Sequence, residues 1–201
     1  MKFIGFYNYT VILTYISFIS GIIGMKLAFE GRTGMAICCL MVSGVCDMFD
    51  GVVARTKKNR TADEKNFGIQ LDSLCDVVCF GVFPAVILFF SGVNTVCGIA
   101  ILIFYALCAV IRLAFFNVLE TKRQVAEGGC AKGYRGLPVT SAAIIFPFFY
   151  LVGLWIPDSV MLIVNHILPL VTGVWFILDF HVPKIDIGRL FSKKADDKSN
   201  A

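Results

Sequence analysis

Residues 34–55 read GMAICCLMVSGVCDMFDGVVAR, an apolar run that ends in two acids and an arginine. No charged residue occurs before Asp47 in this run, and its length is close to the ~20 residues that an α-helix needs to cross a bilayer. Asp47 and Asp50 therefore lie inside a predicted membrane span, where a carboxylate costs about 2.5 kcal/mol or more. Acids placed at that cost indicate a functional site.

The remainder of the chain has the same apolar character. Hydrophobic residues make up 58% of the 201 residues and charged residues only 16%. A soluble domain of this length does not need so large an apolar fraction to fill one core. We therefore predict an all-α integral membrane protein, a bundle of six transmembrane helices. The predicted spans are residues 9–29, 34–55, 69–91, 95–119, 138–154 and 158–180.

The distribution of basic residues predicts the orientation of the bundle. Most of the 18 lysines and arginines lie near the N-terminus, in the loops at 56–68 and 120–137, and after residue 180, whereas the alternate connections carry only Arg32. By the positive-inside rule, both termini and those two loops are cytoplasmic. Attraction to anionic lipid explains the basic segments better than binding to nucleic acid. We predict a multi-pass plasma membrane protein with no nucleic-acid partner.

The chain shows one domain and one tail. Residues 1–191 form the predicted membrane domain, because the first apolar run is too long for a cleaved signal peptide. Residues 192–201 are polar and charged and are predicted to be disordered. In the first cytoplasmic loop, Thr61 and Glu64 have the spacing of a capping box that starts the third helix.

Two further acids complete the pattern that Asp47 and Asp50 begin. Asp72 and Asp76 stand four residues apart near the start of the third span, so they share one helix face. Because the second and third spans run antiparallel across a short cytoplasmic connection, all four carboxylates are predicted to meet near the cytoplasmic end of the bundle.

The chemistry of four carboxylates favours a metal centre. Oxygen ligands without histidine or thiolate suit hard cations, and two divalent ions would balance four negative charges. We predict a site for two divalent cations, Mg²⁺ or Mn²⁺. Protonated acids, hydrogen bonds between helices or a water-filled cavity are alternatives, and four acids at matched helical spacing make them weaker. Gly51 and Gly68 on the same faces suit either close helix packing or the approach of a ligand to the backbone.

These residues carry a resemblance to a known family. The pattern Asp47-x-x-Asp50-Gly51-x-x-Ala54-Arg55, followed by Gly68-x-x-x-Asp72-x-x-x-Asp76, resembles the signature of the CDP-alcohol phosphotransferases. The surroundings are most similar to the bacterial and archaeal phosphatidylserine synthases of that family. Three segments carry this second likeness: LDSLCDVVCFGVFPA at 71–85, IRLAFFNV at 111–118 and YRGLPVTSAA at 134–143.

Two departures from the family pattern stand out. Twelve residues separate Arg55 from Gly68, where about eight are usual in the family, but the extra length falls in the polar loop and leaves the spacing within each helix intact. Phe115 stands where an arginine is expected. The second departure bears on the choice of serine more than on the class of reaction.

The resemblance implies a reaction and a role for each signature residue. An alcohol hydroxyl attacks the β-phosphorus of CDP-diacylglycerol and CMP is released; L-serine is the implied acceptor, membrane lipid the setting and a homodimer the assembly. Asp47, Asp50 and Asp72 would hold the metal ions, and Asp76 would bind the second ion and act as general base. The predicted CDP-binding residues are Gly51, Ala54, Arg55 and Gly68. For Arg55, snorkelling to the interface is the alternative.

Two other arginines are candidates for binding the acceptor or a phosphate. Arg112 is the one charge in the run 95–119, and Arg135 lies in the predicted cytoplasmic loop. Either could bind a carboxylate or phosphate through two hydrogen bonds. A buried ion pair of Arg112 with Asp179 or one of the four acids is the alternative.

Two other functions remain open from the sequence. The same chemistry could use glycerol phosphate, an inositol phosphate or another alcohol as acceptor. A divalent-cation transporter also places acids in membrane spans, although it would distribute them through the membrane depth.

Overall fold

The structure is a computed structural model that describes residues 5–7, 9–57, 61–125, 134–179 and 181–182. Almost all of them form helices. The α-helices are α1 Ile12–Phe29, α2 Thr33–Thr56, α3 Ala62–Asp76, α4 Phe83–Phe90, α5 Val96–Val125, α6 Ala142–Gly153 and α7 Asp158–Ile177. Short 3-10 helices at Tyr9–Val11 and Val139–Ser141 precede α1 and α6, and a π-helix at Val77–Val82 joins α3 to α4.

The helices confirm the predicted multi-span membrane bundle. Five helical segments are long and apolar enough to cross a bilayer: Tyr9–Phe29, Thr33–Ala54, Ala62–Phe90, Val96–Thr121 and Asp158–Ile177. The predicted span at 138–154 corresponds to a shorter apolar helix, Val139–Gly153. Large apolar side chains such as Ile19, Ile103 and Ile163 are exposed on the outside of the bundle, as expected where helices face lipid.

The third segment differs from its predicted bounds. It begins at Ala62, before the predicted start at residue 69, because Thr61 and Glu64 form the predicted capping box. Glu64 donates its backbone N–H to Thr61 Oγ1, and Thr61 donates its own N–H to Glu64 Oε2, each at 3.1 Å. The polar first turns of α3 therefore belong to the same helix as the apolar turns that follow. The fourth segment likewise continues past the predicted end at residue 119, to Val125.

Small residues bring α1 and α2 close to each other and to neighbouring helices. Ser17 and Ser43 exchange hydrogen bonds between α1 and α2, each hydroxyl donating to the other residue's carbonyl, at 3.2 and 2.9 Å. A Cβ on Gly24 would lie 2.1 Å from Cζ of Phe83, and one on Gly44 would lie 2.4 Å from Cβ of Ala143. Close approach of this kind holds membrane helices together where the hydrophobic effect between them is absent.

The π-helix is tied to the neighbouring helix α5. Pro84 has no N–H, so in a regular α-helix the carbonyl of Phe80 would have no donor. The hydroxyl of Tyr105 donates to that carbonyl at 2.5 Å, and Tyr105 is fully buried. This bond fixes the π-helix within the third segment against α5.

The described residues contain one pair of short strands. Strand β1, Tyr134–Arg135, pairs antiparallel with β2, His181–Val182, which places Arg135 opposite His181. The pairing joins the loop before α6 to the chain that follows α7. The predicted tail 192–201 lies outside the described residues.

Candidate metal centre between two cavities

Three of the four predicted acids form one tight cluster. Asp47, Asp50 and Asp72 each offer a carboxylate oxygen, and these oxygens all lie within 4.8 Å of one another. Asp47 and Asp50 share a face near the end of α2, whereas Asp72 faces them from α3. The antiparallel pairing of the two helices therefore produces the predicted meeting of acids.

Asp76 lies beside this cluster rather than within it. Its side chain is buried and within hydrogen-bonding reach of Asp47. It also lines the same cavity as the other three acids. The prediction of one pocket containing all four residues thus agrees with the geometry, although only three carboxylates lie close enough together to share one ion.

The donor set fits a hard cation. Oδ1 of Asp72 is buried and accepts no hydrogen bond from the residues that the structure describes. A buried carboxylate oxygen without a partner is costly, and a divalent ion bound between three carboxylates would remove that cost. The residues present are suited to hold Mg²⁺ or Mn²⁺.

Two threonines from other elements support the acids. Thr14 on α1 donates through Oγ1 to Asp50 Oδ2 at 3.3 Å, and both residues are buried. Thr140, in the 3-10 helix before α6, is within hydrogen-bonding reach of Asp47. Neither threonine is among the site residues predicted from the sequence, since hydroxyl residues occur in spans for many reasons. Their only sequence signal is a hydroxyl in an otherwise apolar run.

The acid cluster separates two cavities. One, of about 110 Å³, is lined by Asp50 and Asp72 together with Thr14, Ala54, Lys65 and Gly68. The other, of about 230 Å³, is lined by all four acids and by Ser73, Arg112 and Thr140. Asp50 and Asp72 are common to both cavities. A ligand in either cavity can therefore reach the same carboxylates.

The predicted CDP-binding residues surround the smaller cavity in part. Ala54 and Gly68 line it. Gly51 is exposed, and a Cβ there would meet no described atom within 4 Å. That open space argues against helix packing as the reason for Gly51 and agrees with ligand approach. Arg55 belongs to α2, but its side chain lies outside the described part of the structure.

Of the two other predicted arginines, Arg112 lies on the side of the cluster that faces the larger cavity. Arg112 on α5 lines the larger cavity, and its Nε donates to the carbonyl of Leu137 at 3.1 Å. It also lines a lateral cavity of about 210 Å³ with Phe115 and Asp179. The backbone of Arg135 forms β1, and its side chain lies outside the described part. Arg112 is therefore positioned between the acids and an apolar opening.

A polar network from α3 to α5 borders the larger cavity. Ser73 donates to Asn117 Oδ1 at 2.7 Å, and Asn117 Nδ2 donates to Gln70 Oε1 at 3.4 Å. Ser73 stands directly after Asp72 and lines the cavity. The network holds the acid-bearing turn of α3 against α5.

Comparison with known proteins agrees with this geometry. The model of the CDP-alcohol phosphatidyltransferase family matches residues 7–177. An archaetidylserine synthase from Methanothermobacter thermautotrophicus is 31% identical over 172 residues, which cover 83% of this chain and 66% of the relative. No solved structure gives a significant match.

Two further relatives carry the same kind of name. A CDP-diacylglycerol–serine O-phosphatidyltransferase from Methanocaldococcus jannaschii is 33% identical over 146 residues, 72% of this chain and 62% of the relative. The enzyme of that name from Saccharomyces cerevisiae is 39% identical over 112 residues, 54% of this chain and 39% of the relative. The chain thus spans less than two thirds of the length of these relatives.

Proposed function

The chain belongs to the CDP-alcohol phosphatidyltransferase family, and from that membership we propose that it transfers the phosphatidyl group of CDP-diacylglycerol to the hydroxyl of L-serine. The products are phosphatidylserine and CMP. The observation that carries the proposal is a cluster of carboxylates shared by two cavities within a membrane bundle. Such a cluster can act on a bond whose two sides are bound in different cavities.

The acids have distinct proposed roles. Asp47, Asp50 and Asp72 would hold two divalent cations, with Asp76 as a further ligand. Bound ions would neutralise negative charge on the pyrophosphate and on the departing CMP. Asp76 takes the proton from the attacking hydroxyl as its oxygen bonds to the β-phosphorus and the bond from that phosphorus to CMP breaks. Its burial beside Asp47 keeps it in place for that transfer.

The two cavities suggest where each substrate binds. The phosphates would occupy the smaller cavity, which Ala54, Gly68 and Lys65 line. The cytidine would extend into the open space beside the exposed Gly51, and Arg55 is a proposed further source of positive charge. The acceptor would enter the larger cavity, which Arg112 lines. Arg112, with Arg135 as a second candidate, would bind its carboxylate or a lipid phosphate. Phe115 and the lateral cavity would accommodate apolar lipid next to Arg112.

Serine is the acceptor that the relatives favour. The names of all three relatives contain serine. The chain matches only part of the length of each relative, so the acceptor is tested directly. We further propose that the protein lies in the plasma membrane with its metal centre facing the cytoplasm, as the basic loops predict. We also propose a homodimer, which the family resemblance implies.

The test is an acceptor panel. Purified protein is incubated with CDP-diacylglycerol, Mn²⁺ and one alcohol at a time: L-serine, glycerol phosphate, an inositol phosphate or water alone. We expect CMP release that requires both Mn²⁺ and L-serine and that Asp76→Asn abolishes. If CMP is released with another alcohol but not with serine, that alcohol is the acceptor and the proposed class of reaction is unchanged. Absence of release with every alcohol, with Mn²⁺ flux into liposomes that survives Asp76→Asn, would favour a transporter.

A further inference from the structure

A further cavity with polar lining lies at the end of the bundle opposite the acids. It has a volume of about 280 Å³ and is bounded by the starts of α2 and α7 and the ends of α4 and α6. Thr33, on its rim, precedes Asp47 by fourteen residues of the same helix, which corresponds to about 21 Å along the axis. The cavity is therefore separate from the metal centre.

A buried amide without a partner faces this cavity. Asn165 on α7 is only 8% exposed and lines the cavity. Its side chain forms no hydrogen bond with any residue that the structure describes. The hydroxyl of Tyr150, on the same wall, also lacks a partner among the described residues. Buried polar groups are normally hydrogen-bonded, so the Asn165 amide is available to a ligand. The hydroxyl of the half-buried Tyr150 is available beside it.

The charge and polarity of the lining select the kind of ligand. Asp158 is the one charged side chain among the described residues of the lining, and it is exposed at the mouth. The hydroxyl of Ser91 donates to the carbonyl of Ile87 at 2.7 Å, so Oγ of Ser91 can still accept a hydrogen bond. The lining thus offers both donors and acceptors, and the negative charge of Asp158 disfavours an anion.

The other walls are apolar and the space is small. Leu88, Phe146 and Leu168 are buried residues of this wall. At about 30 Å³ for a water-sized group, the volume holds about nine non-hydrogen atoms. A short alkyl chain with one small polar head has that size.

We propose that this cavity binds a short single-chain amphiphile whose head donates hydrogen bonds and carries no negative charge. An alcohol and an alkylammonium share that chemistry. The head would bond to Asn165 or Asp158, and the chain would lie against the apolar wall. This site does not depend on the function proposed for the acid cluster.

The test measures binding of three matched probes to the full chain in lipid nanodiscs. Octan-1-ol, octylammonium and octanoate differ only in the head, and empty nanodiscs give the background. We expect saturable binding of octan-1-ol and octylammonium, and none of octanoate. Asn165→Leu should weaken the binding of octan-1-ol and of octylammonium by about three- to tenfold. Asp158→Asn should weaken octylammonium by about twofold or more and leave octan-1-ol unchanged.

A control variant separates the site from general effects on α7. His166→Leu also exchanges a polar side chain for leucine, but His166 bonds the carbonyl of Leu162 in its own helix at 2.8 Å and does not line the cavity. Its probe binding should match the wild type. Circular dichroism and gel filtration establish whether each variant folds, without reference to enzymatic activity.

Three results would overturn the proposal. The first is binding of the probes to the protein that is no greater than their binding to empty nanodiscs. The second is binding of octan-1-ol and octylammonium that is equally strong in the wild type and in folded Asn165→Leu. The third is binding of octanoate as strong as that of octan-1-ol. The first would mean a cavity filled by water only. If Asn165→Leu does not fold, Asp158→Asn still tests the proposed site. Unchanged binding of octylammonium in that variant would contradict the proposal.

Discussion

At the scale of single residues, the bond from Thr14 to Asp50 makes a direct prediction. Thr14→Val keeps the shape of the side chain and removes the hydroxyl that orients the carboxylate. Partners of metal ligands typically contribute 10- to 100-fold to metal affinity. We expect the Mn²⁺ concentration for half-maximal CMP release to rise about tenfold, while the rate at saturating Mn²⁺ changes little.

Thr172→Val is the matched control for that measurement. Thr172 is equally buried, and its hydroxyl bonds the carbonyl of Leu168 within α7, away from the acids. Its Mn²⁺ requirement should stay at the wild-type value. A similar rise in both variants would show that the effect comes from loss of packing rather than from orientation of Asp50.

The acids could be predicted from the sequence, whereas their supporting hydroxyls could not. Asp47, Asp50 and Asp72 are conspicuous because charge inside an apolar run is costly and their spacing matches a helix. Thr14 and Thr140 cost little in a span, and their contacts with Asp50 and Asp47 depend on how distant helices pack. The separation of Asp76 from the tight cluster also depends on that packing.

At the scale of helices, apolar length predicted the spans, but their ends and irregularities follow from local hydrogen bonds. The capping box at Thr61 was predictable because both partners are adjacent in sequence. The π-helix at Val77–Val82 was not, because its freed carbonyl is bonded by Tyr105 from another helix. Pro84 alone signals a kink without giving its form.

Tyr105→Phe tests that contact between elements. The substitution keeps the buried ring and leaves the carbonyl of Phe80 without its donor. An unsatisfied buried acceptor costs about 1–3 kcal/mol, so we expect the free energy of unfolding in detergent to fall by that amount. Tyr150→Phe removes a hydroxyl that has no hydrogen-bond partner among the described residues, and it should have little effect. Equal losses in the two variants would contradict the role of Tyr105.

At the scale of the whole molecule, the placement of charge predicts which side of the membrane each end of the bundle faces. The connection between α4 and α5 contains Asn94 and no charge, whereas Asn66 lies in the polar first turns of α3, next to the basic loop. Both asparagines are exposed. By the positive-inside rule, Asn66 and the acid cluster lie on the cytoplasmic side and Asn94 on the opposite side.

Labelling of sealed cells tests this orientation. Asn94→Cys should react with a membrane-impermeant maleimide added outside, whereas Asn66→Cys should react only after permeabilisation. The unsubstituted protein gives the background from its own cysteines, of which Cys38 and Cys97 are exposed among the described residues. The reverse pattern would place the acid cluster on the outer side. A nucleotide-linked lipid made in the cytoplasm could not then reach it, so the proposed transferase activity would need a different donor.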